Sequence, residues 1–290
     1  MGGLVEKPGG WFTWEPKPTS ADLAAHYNNK YFGPGRGGGQ YEHAYTDEEI
    51  EHKYLAPAEA EAVWRGLPGR VLEVGFGEGF FLEWFHQRGW QVHGVDFTDD
   101  GLNAFFPKLR DRVQIGDAFG LLDEVISRGE TFDLVACNNV IEHVVDPLGL
   151  LQRLRRIVAP GGLLRLVAPN DGSWLQTEIV NRGLAKPEFW VAAPDHLNYF
   201  NAVTFPKVME ANGWSVSDLL ADFPVDLFQL NAEAAYIGGA PAKGRAGHFA
   251  RVAFEWTMWK RQGVEAVLAF RRGCAQSGVG RNLIAYARPA

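Results

Sequence analysis

From Arg70 onward, apolar runs of strand length alternate with helical patterns, and that alternation restricts the chain to repeated βα units around a mostly parallel sheet. Strands are predicted near Val71–Val74, Gln91–Val95, Val113–Ile115, Phe132–Cys137 and Leu163–Ala168. Helices are predicted between them, near Phe80–Gln87, Leu102–Leu109, Ala118–Ser127 and Leu148–Val158. The last carries its own boundaries: Asp146 can cap it, Pro147 suits the first helical position, and Pro160-Gly161-Gly162 stops it.

The first of these strands runs into glycines and then directly into a helix, Val71-Leu72-Glu73-Val74-Gly75-Phe76-Gly77-Glu78-Gly79. Glycines at that turn let a ligand lie against bare backbone. Dinucleotide enzymes, methyltransferases and plain tight turns all use such a turn, so neighbouring residues must discriminate among them. Glu73 interrupts an apolar strand, where a buried carboxylate needs a cation or hydrogen-bond donors, and a ligand ammonium would serve. Asp96 ends the second strand, a position from which an acid can accept both hydroxyls of a ribose. Asp117 follows the third strand, within reach of an exocyclic adenine amine. Together the three strand ends describe a ligand with an amino-acid end, a ribose and an adenine.

With those residues, the fourth-strand segment Phe132-Asp133-Leu134-Val135-Ala136-Cys137-Asn138-Asn139-Val140-Ile141-Glu142-His143 and the Pro160-Gly161-Gly162 turn, the run Arg70 to Asn170 resembles a class I S-adenosylmethionine-dependent methyltransferase. The Ile-Glu-His step resembles the family's small-molecule branch, which includes quinone-type O-methyltransferases. The resemblance covers about a third of the chain and implies a doubly wound, Rossmann-like, mostly parallel seven-stranded sheet with helical insertions. It implies S-adenosyl-L-methionine as cofactor, with Glu73, Gly75 and Gly77 at the methionine part and Asp96 at the ribose. Asp117 and Ala118 would then frame adenine, Asn138 would lie on the sulfonium side, and Phe97 and Tyr31 would complete the contacts.

Outside that run the organisation is less regular. Residues 1–69 hold an aromatic stretch, Trp11 to Trp14, a glycine loop, Gly33 to Gly39, and a helical stretch, Thr46 to Trp64, with acids in its first turn. The glycine loop, with Arg36 and with Tyr27, Tyr31 and Tyr41 around it, is either a lid over the cofactor or a linker. Residues 70–222 form the expected core, with a loop-rich insert at 170–202 that ends in Asp195-His196-Leu197-Asn198-Tyr199-Phe200. A helical, aromatic segment at 223–280 packs on the core, caps the acceptor pocket or makes a dimer contact, and 281–290 returns to the sheet as its last strand.

An acceptor hydroxyl or protonated amine needs a base, and His143 and His196 are the candidates because imidazole titrates near neutral pH, with Tyr199 and Asp195 behind them. No metal-ligand set is read from the spacing, and the two cysteines, Cys137 and Cys274, read as reduced, packed thiols. A formal charge of −7 argues against a nucleic-acid partner, as does Asn138-Asn139-Val140 in place of the Asn/Asp-Pro-Pro-aromatic run of enzymes that methylate base amines. No stretch approaches the ~20 apolar residues of a membrane span, and Met1 to Ser20 lacks the apolar core of an export signal, so a cytoplasmic monomer or homodimer is expected. The expected activity is methyl transfer to a small molecule, at a hydroxyl of a sugar or secondary metabolite, with oxygen preferred to nitrogen or carbon by prior alone. The rivals are a nicotinamide-dependent oxidoreductase, disfavoured by the G-x-G-x-G spacing, and an inactive cofactor-binding scaffold.

Overall fold

The computed structural model describes residues 2–19, 45–239 and 241–290. Tyr31 and the rest of the glycine loop, with Tyr27, Arg36 and Tyr41, lie outside the described residues.

Seven strands form one sheet: β3 (Arg70–Val74), β4 (Gln91–Asp96), β5 (Val113–Ile115), β6 (Phe132–Asn138), β7 (Val158–Pro169), β9 (Trp214–Ala221) and β10 (Asn282–Pro289). Their order is β5-β4-β3-β6-β7-β10-β9. All neighbours pair in parallel except β10, which runs antiparallel between β7 and β9. The chain leaves β3 toward β4 and β5 on one side and returns to β6 and β7 on the other. The strand order therefore reverses between β3 and β6, which places a ligand crevice at their carboxyl ends. The final strand rejoins the sheet, as its residues predict.

Strand periodicity decides which residues face that crevice. Leu72 and Val74 pack into one buried cluster and Val71 into the other. Glu73, alternating with Leu72 and Val74, therefore lies on the Val71 face. By the same rule Asn138 shares the face of Leu134 and Ala136, and Arg165 that of Leu163 and Val167.

The helix that follows β6, α6 (Pro147–Ile157), begins as predicted, with Asp146 accepting a 2.9 Å bond from the Gly149 amide and Pro147 at the first position. Other elements depart from expectation. The predicted helix from Thr46 to Trp64 is two, α1 (Asp47–Lys53) and α2 (Leu55–Trp64), divided at Tyr54. The aromatic stretch at Trp11 is the second strand of a hairpin, β1 (Gly3–Glu6) with β2 (Phe12–Glu15), and β2 also pairs with β8 (Asn198–Tyr199) from the insert. That insert also holds a helix, α7 (Trp174–Asn181), opened by a Ser173–Gln176 capping box. The segment from 223 contributes two helices, α9 (Pro241–Gln262) and α10 (Val264–Gln276); α9 packs on α1, and α10 on α2 and β9. Among the described residues no helix is long and apolar enough to cross a membrane.

Candidate active site

The glycine turn is built for close approach. Gly75 has φ +75°, and a Cβ there would stand 2.5 Å from the Val140 side chain; its amide donates to the Val95 carbonyl at 2.8 Å. Gly77, at φ +53°, turns its amide onto Asp96 Oδ2 at 2.8 Å, so the ribose acid of the second strand is tied to the glycine turn. Burial raises the Asp96 carboxyl above its usual range.

Glu73 is 4% exposed. Its Oε1 accepts a 3.0 Å bond from Asn138 Nδ2, and among the described residues its Oε2 has no hydrogen-bond partner. Burial pushes its carboxyl well above the usual carboxylate range. Asn138 in turn accepts from Arg165 through Oδ1. An orphaned, buried carboxylate oxygen beside a positive-φ glycine turn is the environment that a ligand ammonium would complete. Glu73, Asn138 and Arg165 line one cavity of about 290 Å³, together with Asp222, Arg251 and Glu255.

The remaining expected cofactor residues lie along the next strand ends. Phe97 is 60% exposed. Asp117 is exposed and caps the helix α5 (Ala118–Ser127), accepting from the Gly120 amide at 2.9 Å, with Ala118 buried behind it. These three and Asp96 are not among the residues lining the 290 Å³ cavity, which opens from Glu73 toward β7, β10 and β9.

The three acceptor-side candidates come together although 52 residues separate the first two. The insert is laced to the turn after β6: the Leu197 amide donates to the Glu142 carbonyl at 2.7 Å, and Asn198 Nδ2 donates to the carbonyls of Ile141 and Val144. This sets the His143 and His196 rings edge to face, 4.8 Å apart. His143 Nδ1 lies 2.7 Å from the Asp195 carbonyl oxygen and so carries the proton, which makes Nε2 the basic nitrogen. Tyr199 is 3% exposed, and its hydroxyl donates to the His196 carbonyl at 2.6 Å. Burial raises it to about 12, so it holds His196 in place and keeps its own proton.

Several residues of the site were not singled out by sequence. Arg165 interrupts Leu163-Leu164-Arg165-Leu166-Val167, the same signal that marked Glu73. Asn139 sits at φ +53° and donates to Glu142 Oε1 at 3.1 Å, joining the cavity wall to the histidines. Glu142 is 1% exposed, its Oε2 lacks a partner among the described residues, and burial raises its carboxyl to about 8. Glu142, His143 and His196 each offer one ligand atom, all within 4.8 Å of one another, so they can hold a divalent metal, which the spacing alone did not suggest.

A family model described as a methyltransferase domain matches residues 44–219, more than half of the chain. The chain is 35% identical over 100 residues to a ubiquinone biosynthesis O-methyltransferase of Alkalilimnicola ehrlichii, covering 33% of this chain and 40% of that protein. It is 29% identical over 161 residues to the Aeromonas salmonicida protein of the same name, covering 53% and 66%. The matches thus span about two fifths to two thirds of these relatives' lengths. Among solved structures, a SAM-dependent methyltransferase from Archaeoglobus fulgidus superposes with a TM-score of 0.52 at 15% identity, over 91% of this chain and 98% of that one. That likeness carries the fold, and with the matched family model it fixes the assignment: the chain belongs to the methyltransferase-domain family.

Proposed function

We propose that the chain transfers a methyl group from S-adenosylmethionine to a hydroxyl of a small molecule, of the sugar or secondary-metabolite kind. The observation that carries this reading is Glu73 Oε2, buried, without a partner among the described residues and adjacent to the glycine turn. Glu73 and Asn138 would take the amino-acid end, Asp96 the ribose hydroxyls, and Asp117 with Ala118 the adenine. Bound there, S-adenosylmethionine supplies a methyl group already activated on its sulfonium. The chain's own part is to align the acceptor, exclude water and remove a proton. His143 Nε2 and His196 are the groups suited to that removal, and the O-methyltransferase names of the relatives support oxygen as the acceptor atom.

A second reading rests on the orphaned Oε2 of Glu142: a divalent metal held by Glu142, His143 and His196 would lower the acceptor hydroxyl's pKa directly. Calorimetric titration with S-adenosylhomocysteine, and separately with oxidised and reduced nicotinamide dinucleotides, tests the main reading; affinity for a dinucleotide alone would overturn it. Activity that survives chelation but not His196→Ala belongs to the histidine base. Activity abolished by chelation and restored by a divalent metal belongs to the second reading.

A further inference from the structure

The far end of the cavity is charged, and nearly all of its charge is internally matched. Glu255 takes Arg271 at 2.6 Å and His52 at 2.9 Å, and Glu78 takes Lys53 at 2.6 Å. Asp222 accepts from the Arg281 and Asn282 amides and from Asn282 Nδ2 at 2.7–2.9 Å. Arg251, on α9, is the exception: among the described residues no carboxylate lies within 4.0 Å of its guanidinium, although Asp222 is near enough to feel its charge.

That guanidinium is held in place. Its Nη2 donates to His248 Nδ1 at 3.2 Å, and His248 Nε2 lies 2.9 Å from Glu49 Oε1. Since Nδ1 accepts, Nε2 carries the proton and donates to the buried Glu49. One of the five guanidinium hydrogens is thereby used to orient the fork. Arg251 lines both the 290 Å³ cavity and a second of about 250 Å³, the latter shared with Tyr236, His248 and Arg281. Arg281 already pairs with Asp171 at 2.8 Å.

We propose that Arg251 is the anion-binding residue of the acceptor subsite, and that the acceptor carries a carboxylate or phosphate group held at the junction of the two cavities. This deepens the methyl-transfer reading and rests on it. Asp222, whose carboxyl feels the Arg251 charge, follows β9, and β9 lies four strands from β3 in the sheet. Glu73 lines only the first of the two cavities whereas Arg251 lines both, so an anion held at their junction lies apart from an ammonium at Glu73. A planar, always-charged fork that matches an oxyanion gives orientation as well as affinity, which methyl transfer to a chosen atom requires.

The test titrates the full chain, with and without saturating S-adenosylhomocysteine and at constant ionic strength, with benzoate, inorganic phosphate and the neutral benzamide. Wild type should bind benzoate or phosphate about tenfold to a hundredfold more tightly than Arg251→Gln, with benzamide weak and equal in both. Arg251→Lys, which keeps the charge but loses the fork, should fall between them and serves if Arg251→Gln does not fold. The S-adenosylhomocysteine affinity should stay within about twofold in each variant. Binding of benzoate alone or phosphate alone identifies which oxyanion the subsite takes. Equal anion binding in wild type and variants, no anion binding by wild type, or benzamide matching benzoate overturns the proposal. Failure of wild type to bind S-adenosylhomocysteine overturns the cofactor reading instead, and the anion titration without it is still read on its own.

Discussion

Asn138 holds Glu73 by a single hydrogen bond, Nδ2 to Oε1 at 3.0 Å, and leaves Oε2 inside the protein without a partner among the described residues. Arg165 fixes the Asn138 amide from the other side, so the pair cannot satisfy both carboxylate oxygens by a simple flip. The fold thus carries a polar cost at the carboxyl end of β3 that a cationic ligand would relieve.

That cost has a pH signature. Burial raises the Glu73 carboxyl above its unfolded value of 4.5. The native state therefore retains a proton that the unfolded chain has lost, and this group's contribution to stability declines as pH rises from 4.5 toward the folded value. A ligand ammonium draws the value down again, so S-adenosylhomocysteine should bind with proton release and more tightly as pH rises. Urea unfolding of wild type and Glu73→Gln between pH 5 and 8 checks this. The stability gap should shift in favour of Glu73→Gln as pH rises and narrow when ligand is added. Parallel curves for the two proteins would remove Glu73 from the account.

The βα core was legible because its signals are local: apolar runs, a proline-opened and glycine-closed helix, and single acids at strand ends. Glu73 and Asp96 could be singled out this way because a carboxylate in or at the end of an apolar strand is a local anomaly, whereas Asn138 entered only through the family resemblance. What escaped was carried by long-range pairing. Nothing near Trp11 announces a strand, because Phe12–Glu15 is completed by Tyr199 and Asn198 from the other end of the core. Arg251 could not be ranked among the chain's arginines from sequence, because the role proposed for it rests on which of the described carboxylates fail to reach it.

A second consequence of long-range pairing is the charge cluster beneath the cavity. Glu59 is fully buried and accepts from Arg271 at 2.6 Å, Tyr286 at 2.8 Å and Arg165 at 3.4 Å. Removing it leaves two buried guanidiniums short of a counter-charge. Glu59→Ala should cost about 3–5 kcal/mol, against about 2 kcal/mol for Tyr286→Phe, which removes two hydrogen bonds, one to Glu59 and one from Arg165, and leaves the charges matched. Denaturant midpoints measure both; similar small losses would mean that water readily replaces the carboxylate.

Gly75→Ala tests the glycine turn itself. The new methyl would meet Val140 at 2.5 Å in a backbone conformation, φ +75°, that costs an L-residue about 1–2 kcal/mol. Val140 lies between Asn139 and the Ile-Glu-His step, so the displacement reaches both sides of the site. S-adenosylhomocysteine affinity should fall at least about tenfold, and Gly75→Ala with Val140→Ala should regain part of it. No recovery in the double variant would assign the loss to backbone strain alone.

Tyr199 separates positioning from proton transfer. Its hydroxyl donates to the His196 carbonyl, and burial raises it to about 12, so near neutral pH it has no proton to accept and none to give up cheaply. Tyr199→Phe should therefore lower turnover by less than about tenfold, through a looser His196, without moving the pH profile. His196→Ala, if that imidazole takes the acceptor proton, should lower turnover by about 10²–10⁴ and remove the acidic limb. Stopped-time methyl-transfer assays across pH 5–9 read both effects. A Tyr199→Phe loss as deep as that of His196→Ala, with an altered profile, would make the tyrosine part of the proton path rather than the strut that holds it.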